Sequence, residues 1–567
     1  MVAPEIARLL NEFGRRLTLC GGNPYRAKAY IRAAERVALL TEPIDTLIVQ
    51  NRLQEIPGVG PAIAQVIIKL HETGTYPSLE KLRAEFPETL LEMLTIPGLR
   101  PDKILKLHSE LGVSTLDELV AACLQDKLKG VRGLGPALQR KILAGVEARK
   151  NWQSARHMHR AADLLQSTKA SLERSHLGLR NIDIAGDLRR GCELVTNLSL
   201  VAEKVGSRTS PLQFGELNIH VADPSRVGAA WLFATGSEAH LKQLRKWARK
   251  KGLNLEPDGL YREGELLAAR SEKDIYEALG LAFIEPELRE GRDEIKLSKR
   301  RELPTLVKLK DLRGILHAHT TASDGVNTLS QMADAVRKRG FSYLGVADHS
   351  QSAHYAGGLT PEQIEAQHDT IDELNFQYGD SFYIFKGIES DILPDGSLDY
   401  REEILNRFDF VVASVHGQFR KDRASQTERI LRAVKNPRTT ILGHMTGRQL
   451  LRRPGYDIDV EQVLGACAKH RVAVEINANP WRLDLDWRWH KKALELGCMF
   501  SINPDAHSTA EIDLTKWGVA MARKGGVPSH RVINALDLDS FRAYLEDREV
   551  KLNRKTLRPR AAAPRRS

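Results

Sequence analysis

The 567 residues include five cysteines, Cys20, Cys123, Cys192, Cys467 and Cys498, and no two of them form a Cys-x-x-Cys pair. That counts against a disulfide frame and predicts a reduced, cytoplasmic protein with buried thiols. No apolar run is long enough to span a bilayer and no signal-peptide pattern opens the sequence, so no membrane partner is expected. Acidic side chains are outnumbered, 73 Asp and Glu against 84 Lys and Arg, and the net charge of +11 favours a polyanionic partner. Residues 554–567 carry six basic side chains and no acidic one. The segment 551–567 therefore reads as a basic, disordered tail, either touching nucleic acid or simply solvated. The length allows three or more domains, each with its own core.

In the C-terminal half, short apolar, β-branched runs end, almost every time, in a metal-ligand residue. They are Gly-Ile-Leu-His317-Ala-His319, Tyr-Leu-Gly-Val-Ala-Asp-His349, Tyr-Ile-Phe-Lys-Gly-Ile-Glu389, Phe-Val-Val-Ala-Ser-Val-His416, Thr-Ile-Leu-Gly-His444 and Phe-Ser-Ile-Asn-Pro-Asp505-Ala-His507. Asp324 lies in the loop after the first. Buried strands read as continuous apolar runs, and helical patterns such as Leu329 to Arg339 and Val460 to His470 separate these. Alternating strand and helix predicts a parallel barrel or sheet with its chemistry at the C-terminal strand ends. Residues two apart on a strand face one side, so His-x-His can grip one ion. A lone histidine is usually a satisfied core residue; nine ligand-type residues recurring at strand ends are not independent accidents.

Three related phrases punctuate the first 150 residues: Ile56-Pro-Gly58-Val-Gly60, Ile96-Pro-Gly98-Leu-Arg100 and Val131-Arg-Gly133-Leu-Gly135. Each precedes a helical pattern, an arrangement that aims backbone N–H groups and a helix N-terminus at a phosphate without reading sequence. One such phrase also describes an ordinary helix–helix turn, but three in a basic chain favour DNA. They resemble helix-hairpin-helix units, the second carrying Arg100 where the others have glycine.

Asn23-Pro-Tyr-Arg26-Ala-Lys-Ala-Tyr30, together with the first of these units, resembles the small N-terminal domain of family X DNA polymerases. Members with lyase activity form a Schiff base through a lysine on the helix after the hairpin. Val66 stands at that position here and Lys69 one turn further on, so the resemblance does not carry the lyase over. It continues through Ile184-Ala-Gly186-Asp187-Leu-Arg189-Arg190-Gly191, Thr235-Gly-Ser237 and the stretch from Glu277 to Gly291. The family's palm holds two divalent ions with an Asp-x-Asp pair and a third aspartate. Asn197, Ser199 and Asn218 align with these, and Asp187 replaces a serine that contacts the triphosphate. The resemblance therefore implies a palm without nucleotide addition, kept as a DNA-positioning scaffold in which Arg189 and Arg190 join Gly58, Gly60, Gly98, Gly133 and Gly135 as DNA contacts.

From Leu312 to Leu545 the chain resembles the polymerase and histidinol phosphatase (PHP) domain fused to many family X polymerases. The shared phrases, in the family's order, include His-x-His, Ala-Asp-His-Ser, Gly-Ile-Glu-Ser-Asp, Leu-Gly-His-Met-Thr-Gly-Arg, Glu-Ile-Asn-Ala-Asn-Pro and Asp-Ala-His-Ser. The resemblance implies one ion on His317, His319, Glu389 and Asp505, a second on bridging Glu389, His416 and His444, and a third on Asp324, His349 and His507. Mixed N/O ligation favours Mn²⁺, with Zn²⁺ or Fe²⁺ as alternatives. Such ions polarise a phosphoryl oxygen and acidify a water for attack at phosphorus, so no Ser or Cys nucleophile is needed. Arg448 is expected to clamp a phosphate; Lys386 reads as the same or as a solvated or paired side chain; His354 is a candidate substrate contact. Ile315 and Pro504 depart from the family's usual residues; neither replaces a ligand, but both are expected to alter the support around the ligands.

The expected architecture is multidomain: helical units over 1–90 and 91–150, an α+β nucleotidyltransferase-like palm and thumb over 151–300, and a distorted (βα)7 TIM-like barrel over 312–545. The expected activity is a DNA-repair nuclease, a monomer acting on gapped, nicked or 3′-recessed DNA as a 3′–5′ exonuclease, a 3′-end phosphoesterase or an abasic-site endonuclease. Alternatives are a small-molecule phosphatase like histidinol phosphatase, a non-catalytic DNA-binding scaffold, and a polymerase with residual gap filling.

Overall fold

The computed structural model describes residues 1, 3–21, 24–37, 44–56, 58–94, 96, 99–131, 133–136, 138–140, 142, 143, 146, 155–174, 178–204, 212–214 and 217–556. The chain forms two compact units, Met1–Ser154 and Ala155–Ser567. Among the described residues, no helix is long and apolar enough to cross a membrane.

The first unit is helical, and three of its turns repeat one backbone design. The carbonyl of Ile56, Ile96 or Val131 accepts the N–H of Val59, Leu99 or Leu134 at 2.9, 3.1 and 3.0 Å. The following residue then opens a helix: Gly60 accepts from Ile63 and Ala64, Arg100 from Lys103 and Ile104, and Gly135 from Leu138 and Gln139. Pro61 and Pro101 occupy the first helical position, where a missing N–H costs nothing. Gly58 and Gly133 adopt φ of +86° and +87°, which a side chain would strain. Arg100 and Gly60 share φ of −82° in extended backbone, so the departure at Arg100 leaves the turn intact. Gly98 lies outside the described residues. The apolar helix faces meet in one core, where Phe13 makes edge contacts with Tyr30 and Tyr76 at 4.8 and 5.3 Å. Val66 is part of that core, whereas Lys69 is exposed.

The second unit opens with helix Met158–Arg174 and a four-stranded sheet ordered Leu179–Ile184, Leu198–Lys204, Leu217–Ala222, Leu212–Phe214. Its two central strands run parallel and pair Ser199 with Asn218. Helices Val227–Thr235 and Glu238–Lys250, a three-stranded antiparallel sheet and helix Glu272–Ala278 follow. Gly228 allows the first of these to touch Ser271: a Cβ there would lie 2.3 Å from its backbone.

From Gly314 the strands are all parallel. One sheet joins Gly314–Ile315, Tyr343–Gly345 and Tyr383–Phe385; a second joins Gly387–Asp391, Phe410–Ser414, Thr439–Leu442, Ala473–Asn477 and Phe500–Asn503. Tyr383 to Asp391 is one run interrupted at Lys386. Parallel bridges His349↔Glu389 and Ala318↔Ala506 continue the pairing beyond the regular strands. Thr328, Thr360, Asp422 and Asp459 cap intervening helices with side-chain oxygens, which fixes where each loop at the strand ends stops. Helix Leu538–Thr556 extends through residues 551–556, correcting the expectation of disorder there, while 557–567 lie outside the described residues. The thiols of Cys123, Cys467 and Cys498 are buried as expected and Cys192 is partly so, but Cys20 is exposed.

Ion pairs weld the palm-like and thumb-like segments to each other and to the parallel sheets. Glu193 accepts from Trp487 Nε1 (2.9 Å) and Arg488 (2.6 Å), and Lys524, itself buried, donates to Glu290 (2.6 Å) and to the Arg190 carbonyl (3.0 Å). Glu272 binds Arg189 at 2.6 Å and also pairs with the fully buried Arg289. Burial opposes its ionisation, yet the two guanidiniums hold the Glu272 carboxyl below its usual range. Its stabilisation is therefore complete at neutral pH and lost as pH falls through the acid range. Glu272→Gln would leave Arg289 buried without its anion, and we expect a loss of about 3 kcal/mol in chemical denaturation at pH 7, shrinking toward zero in acid.

Candidate metal centre

His-x-His and Asp-x-His face one another because their strands meet through the alanines between them. The Ala318↔Ala506 bridge is made by His319 N–H donating to the Ala506 carbonyl at 2.8 Å. With a period of two, His317, His319, Asp505 and His507 share one side. Asp505 takes φ of +53°, a left-handed backbone that aspartate tolerates better than most residues. His349 and Glu389 pair directly on neighbouring strands, and His416 and His444 each sit two residues beyond a strand end. Asp324 is delivered by a loop pinned to Asp348, which accepts from Thr320 N–H and Oγ1 (2.7 Å each), from Ser323, and from Gln367 Nε2 (2.7 Å).

All nine expected ligands converge, and Glu389, 1 % exposed, is their hub. Its Oε1 lies 3.0 Å from His444 Nε2, 3.3 Å from His416 Nε2 and 3.4 Å from His317 Nε2. Its Oε2 lies 3.0 Å from His349 Nδ1 and 3.7 Å from His319 Nε2. Asp505 Oδ1 sits 3.2 Å from His319 and 3.6 Å from His317. Asp324 Oδ1 meets His507, His349 and His319 at 3.3, 3.6 and 3.8 Å. Three sets of ligand atoms are close enough to hold an ion: His317, His319 and Asp505; His349, Glu389 and His416; and His319, Asp324, His349 and His507.

The electrostatics and the unmet hydrogen bonds both fit divalent cations. His317 Nε2, His319 Nδ1, His349 Nδ1 and Glu389 Oε2 are buried without a hydrogen-bond partner. Such groups are costly unless something binds them. Burial opposes the charges on Glu389 and Asp505, but the surrounding imidazoles hold both carboxyls well below their usual range. Conversely, burial is outweighed at His416 by Glu389 and Asp391, which raise it to about 10, and at His507 by Asp324 and Asp505, which raise it to about 9. His319, enclosed beside His507 and His349, falls to about 4. A cation entering this cluster displaces protons, so affinity rises with pH.

Two residues that lie inside the quoted phrases but were given no role there orient the ligands. Glu475, fully buried, accepts from His317 Nδ1 (2.6 Å), the His444 N–H (2.7 Å), Asn503 Nδ2 (3.0 Å) and Asn477 Nδ2 (3.2 Å). Asp391 engages His416 Nδ1 in the same way. Asp391 follows Glu389 by two residues on one strand, the spacing that exposed His-x-His, and that signal was present in the sequence.

Several expected contacts are corrected. Arg448 donates to the Arg482 carbonyl (3.0 Å), the Leu483 carbonyl and Asp486 (2.6 Å), so its guanidinium fastens the 482–486 loop instead of facing the cluster. Arg482 is the arginine at the rim, with Nε 3.9 Å from Asp505 Oδ2. Lys386 needs no correction: it is paired with Asp372 at 2.6 Å, one of the readings given for it, and His354 is exposed. Arg189 is spent on Glu272 and Thr235 with its face on Trp231, and Arg190 on Asp187, Glu290 and the Thr235 carbonyl. The donors that a DNA contact needs are thus turned inward. Asp187 also points inward: its Oδ2 accepts from Thr196 N–H, Thr196 Oγ1 and Asn197 N–H at 2.8–2.9 Å. It organises the loop before the strand instead of repelling a triphosphate. Asn197 accepts from Ser199, which is buried, and Asn218 is exposed on the adjoining strand.

Comparison with known proteins gives three matching family models: a helix-hairpin-helix domain over residues 1–76, a SAM-like helix-hairpin-helix tandem over 90–149, and a DNA polymerase beta thumb over 230–290. Among curated proteins, the chain is 33 % identical over 569 aligned residues to "DNA polymerase/3′-5′ exonuclease PolX" of Bacillus subtilis, covering 96 % of this chain and 99 % of that protein. A "probable phosphatase" of Thermoanaerobacter sp. is 28 % identical over 255 residues, 42 % of this chain and 95 % of its own length. One from Vibrio campbellii is 29 % identical over 247 residues, 42 % of this chain and 93 % of its own length.

Glu475→Gln keeps the volume but removes the charge that orients His317. We expect Mn²⁺ affinity, measured by competition with a chelator, to fall about 10- to 100-fold with the fold retained.

Proposed function

The chain belongs to the family X DNA polymerases, and from that premise we propose that it is a metal-dependent nuclease that trims DNA 3′ ends at the cluster around Glu389. The helix-hairpin-helix and thumb segments indicate DNA binding, and in this reading they hold gapped, nicked or recessed DNA. The observation that carries the proposal is the convergence of nine ligand-type side chains, five of them with a buried atom that makes no hydrogen bond. We also infer the finer four-part division of the chain, and the closure of its seven parallel strand runs into a distorted barrel. The bridges beyond the two parallel sheets support that closure.

His317, His319, Glu389 and Asp505 would hold one ion, Glu389, His416 and His444 a second, and Asp324, His349 and His507 a third. His319 and His349 also reach the neighbouring sets, which supports a shared cluster in place of three isolated sites. Mixed N/O donors favour Mn²⁺. Bound divalent ions supply Lewis acidity toward a phosphoryl oxygen and a water acidic enough to attack at neutral pH. The chain's own residues do the rest. Glu475 and Asp391 fix the tautomers of His317 and His416 so that Nε2 of each faces Glu389. Arg482 is suited to hold a non-bridging phosphate oxygen at the rim, the part first expected of Arg448. Its neighbour Asp505 keeps the guanidinium there. The curated PolX relative's name carries 3′-5′ exonuclease activity, which supports cleavage from the 3′ end.

We propose that nucleotide addition is lost. Asn197, Ser199 and Asn218 cannot offset the charge of two Mg²⁺ ions beside a triphosphate. Primer extension with Mg²⁺ or Mn²⁺ is expected to yield no product; robust extension abolished by changing Asn197 or Asn218 would overturn this.

On end-labelled recessed and gapped DNA with Mn²⁺, we expect 3′ shortening that disappears in His349→Ala and in Asp505→Asn. Full activity in both variants would exclude this site. The phosphatase names of the relatives that match this region favour a second reading, a phosphoesterase for small phosphomonoesters. A higher kcat/KM on a free phosphomonoester than on DNA 3′ ends would select it.

A further inference from the structure

The cluster has an apolar lip on one side, and one aromatic ring dominates it. Tyr355 is 71 % exposed, yet its ring centroid lies 6.2 Å from that of His349 and 6.4 Å from that of His416. Among the described residues of the second unit, the only other exposed large aromatic side chain is Phe376, on helix Pro361–Tyr378, and it makes no ring contact with the cluster. Val326, 65 % exposed, stands beside the cluster as well: its N–H donates to the His507 carbonyl at 2.8 Å. The two loops meet, since a Cβ added to Gly357 would lie 3.7 Å from the Ser323 carbonyl oxygen.

The Tyr355 turn is held stiffly. Ala353 and Ala356 are buried beneath it, and Ala353 N–H donates to the Ser350 carbonyl at 2.9 Å while its own carbonyl accepts from Ala356 (2.9 Å) and Gly358 (3.2 Å). Tyr400 accepts the Gln351 N–H at 3.0 Å and donates to the Leu359 carbonyl at 2.5 Å, and Asp399 accepts the Ser352 N–H at 2.6 Å. Gly358 passes so close to Ser350 that a Cβ would sit 1.8 Å from its carbonyl oxygen. An exposed ring on such a support presents a fixed apolar face, which costs little entropy when a flat ligand covers it.

We propose that Tyr355 is the stacking platform for the nucleobase of the 3′-terminal nucleotide of a DNA strand whose phosphodiester lies at the cluster. This rests on the nuclease reading above and adds what that reading lacks, a feature that recognises a nucleoside and is indifferent to a small aliphatic phosphomonoester. Stacking accepts every base, because each has a π-face, so the platform selects a nucleotide end without selecting sequence.

The test uses the full chain with Mn²⁺ and two 3′-recessed DNA duplexes, one whose recessed strand ends in a normal nucleotide and one whose 3′-terminal sugar lacks its base. On the normal end, Tyr355→Ala is expected to lower kcat/KM roughly 5- to 100-fold, the range that one base–aromatic stack spans, and Tyr355→Phe to rescue it. On the baseless end, Tyr355→Ala and the unchanged protein are expected to cleave alike. Equal activity on the normal end, or equal losses on both ends, overturns the platform while leaving the nuclease reading standing. Failure of the unchanged protein to cleave either end overturns the nuclease reading itself, and the platform with it.

Discussion

One buried carboxylate organises the C-terminal half of this protein. Glu389 is removed from water in the middle of five imidazoles, and an isolated charge at that depth would be prohibitively costly. Two arrangements compensate for it: protons on neighbouring histidines, or cations held among them. The protonated arrangement raises His416 to about 10 and leaves buried nitrogens unpaired. A cation held among them would give such nitrogens a partner, and hydrogen bonds from Glu475 and Asp391 keep His317 and His416 aimed at Glu389. Glu475 draws on four separate hydrogen-bond donors to do so. Removing water from the cluster therefore serves affinity and orientation together.

The parallel-strand architecture explains why such a set can assemble from residues scattered over nearly two hundred positions. Six of the seven strand runs contribute one or two of these side chains at or near their C-terminal ends, Asp324 comes from a loop, and the register of neighbouring strands sets which of them meet. Ala318 against Ala506 brings two pairs together, and His349 against Glu389 a third. A slip of one residue would turn each of those side chains to the opposite face.

Legibility in the sequence followed this physics. Strand ends marked by His, Asp and Glu were readable because burial makes a strand an apolar run and chemistry terminates it. All nine candidate ligands meet for that reason. The three turns Ile56–Gly60, Ile96–Arg100 and Val131–Gly135 were readable because local backbone geometry demands glycine and proline at fixed offsets. Arginines were not readable. Arg189, Arg190 and Arg448 stand in phrases associated with phosphate, but a guanidinium has five donors and a long reach, and nearby carboxylates and carbonyls decide where it points. Those partners, Glu272 and Glu290 for the first two and Asp486 for the third, are distant in sequence. Tyr355 escaped notice for the opposite reason: an exposed tyrosine in a loop has no pattern, and only the fold brings it beside His349.

The inward turn of Arg189 and Arg190 also bears on what became of the palm. A palm that adds nucleotides needs carboxylates to hold ions and cationic groups open toward a triphosphate. Here the carboxylate positions are Asn197, Ser199 and Asn218, and the arginines are locked into pairs that extend through Glu290 to Lys524 and through Glu272 to Arg289. Glu193 adds a second tie, to Trp487 and Arg488, in the segment that follows Arg482. The same chain of contacts that closes the nucleotide end of the palm thus braces the loop beside Asp505. Lys524 on Glu290 and Glu193 on Trp487 and Arg488 together tie the palm-like segment to the parallel sheets. Those ties give the palm-like segment a packing role in the second unit that does not depend on carboxylates at positions 197, 199 and 218.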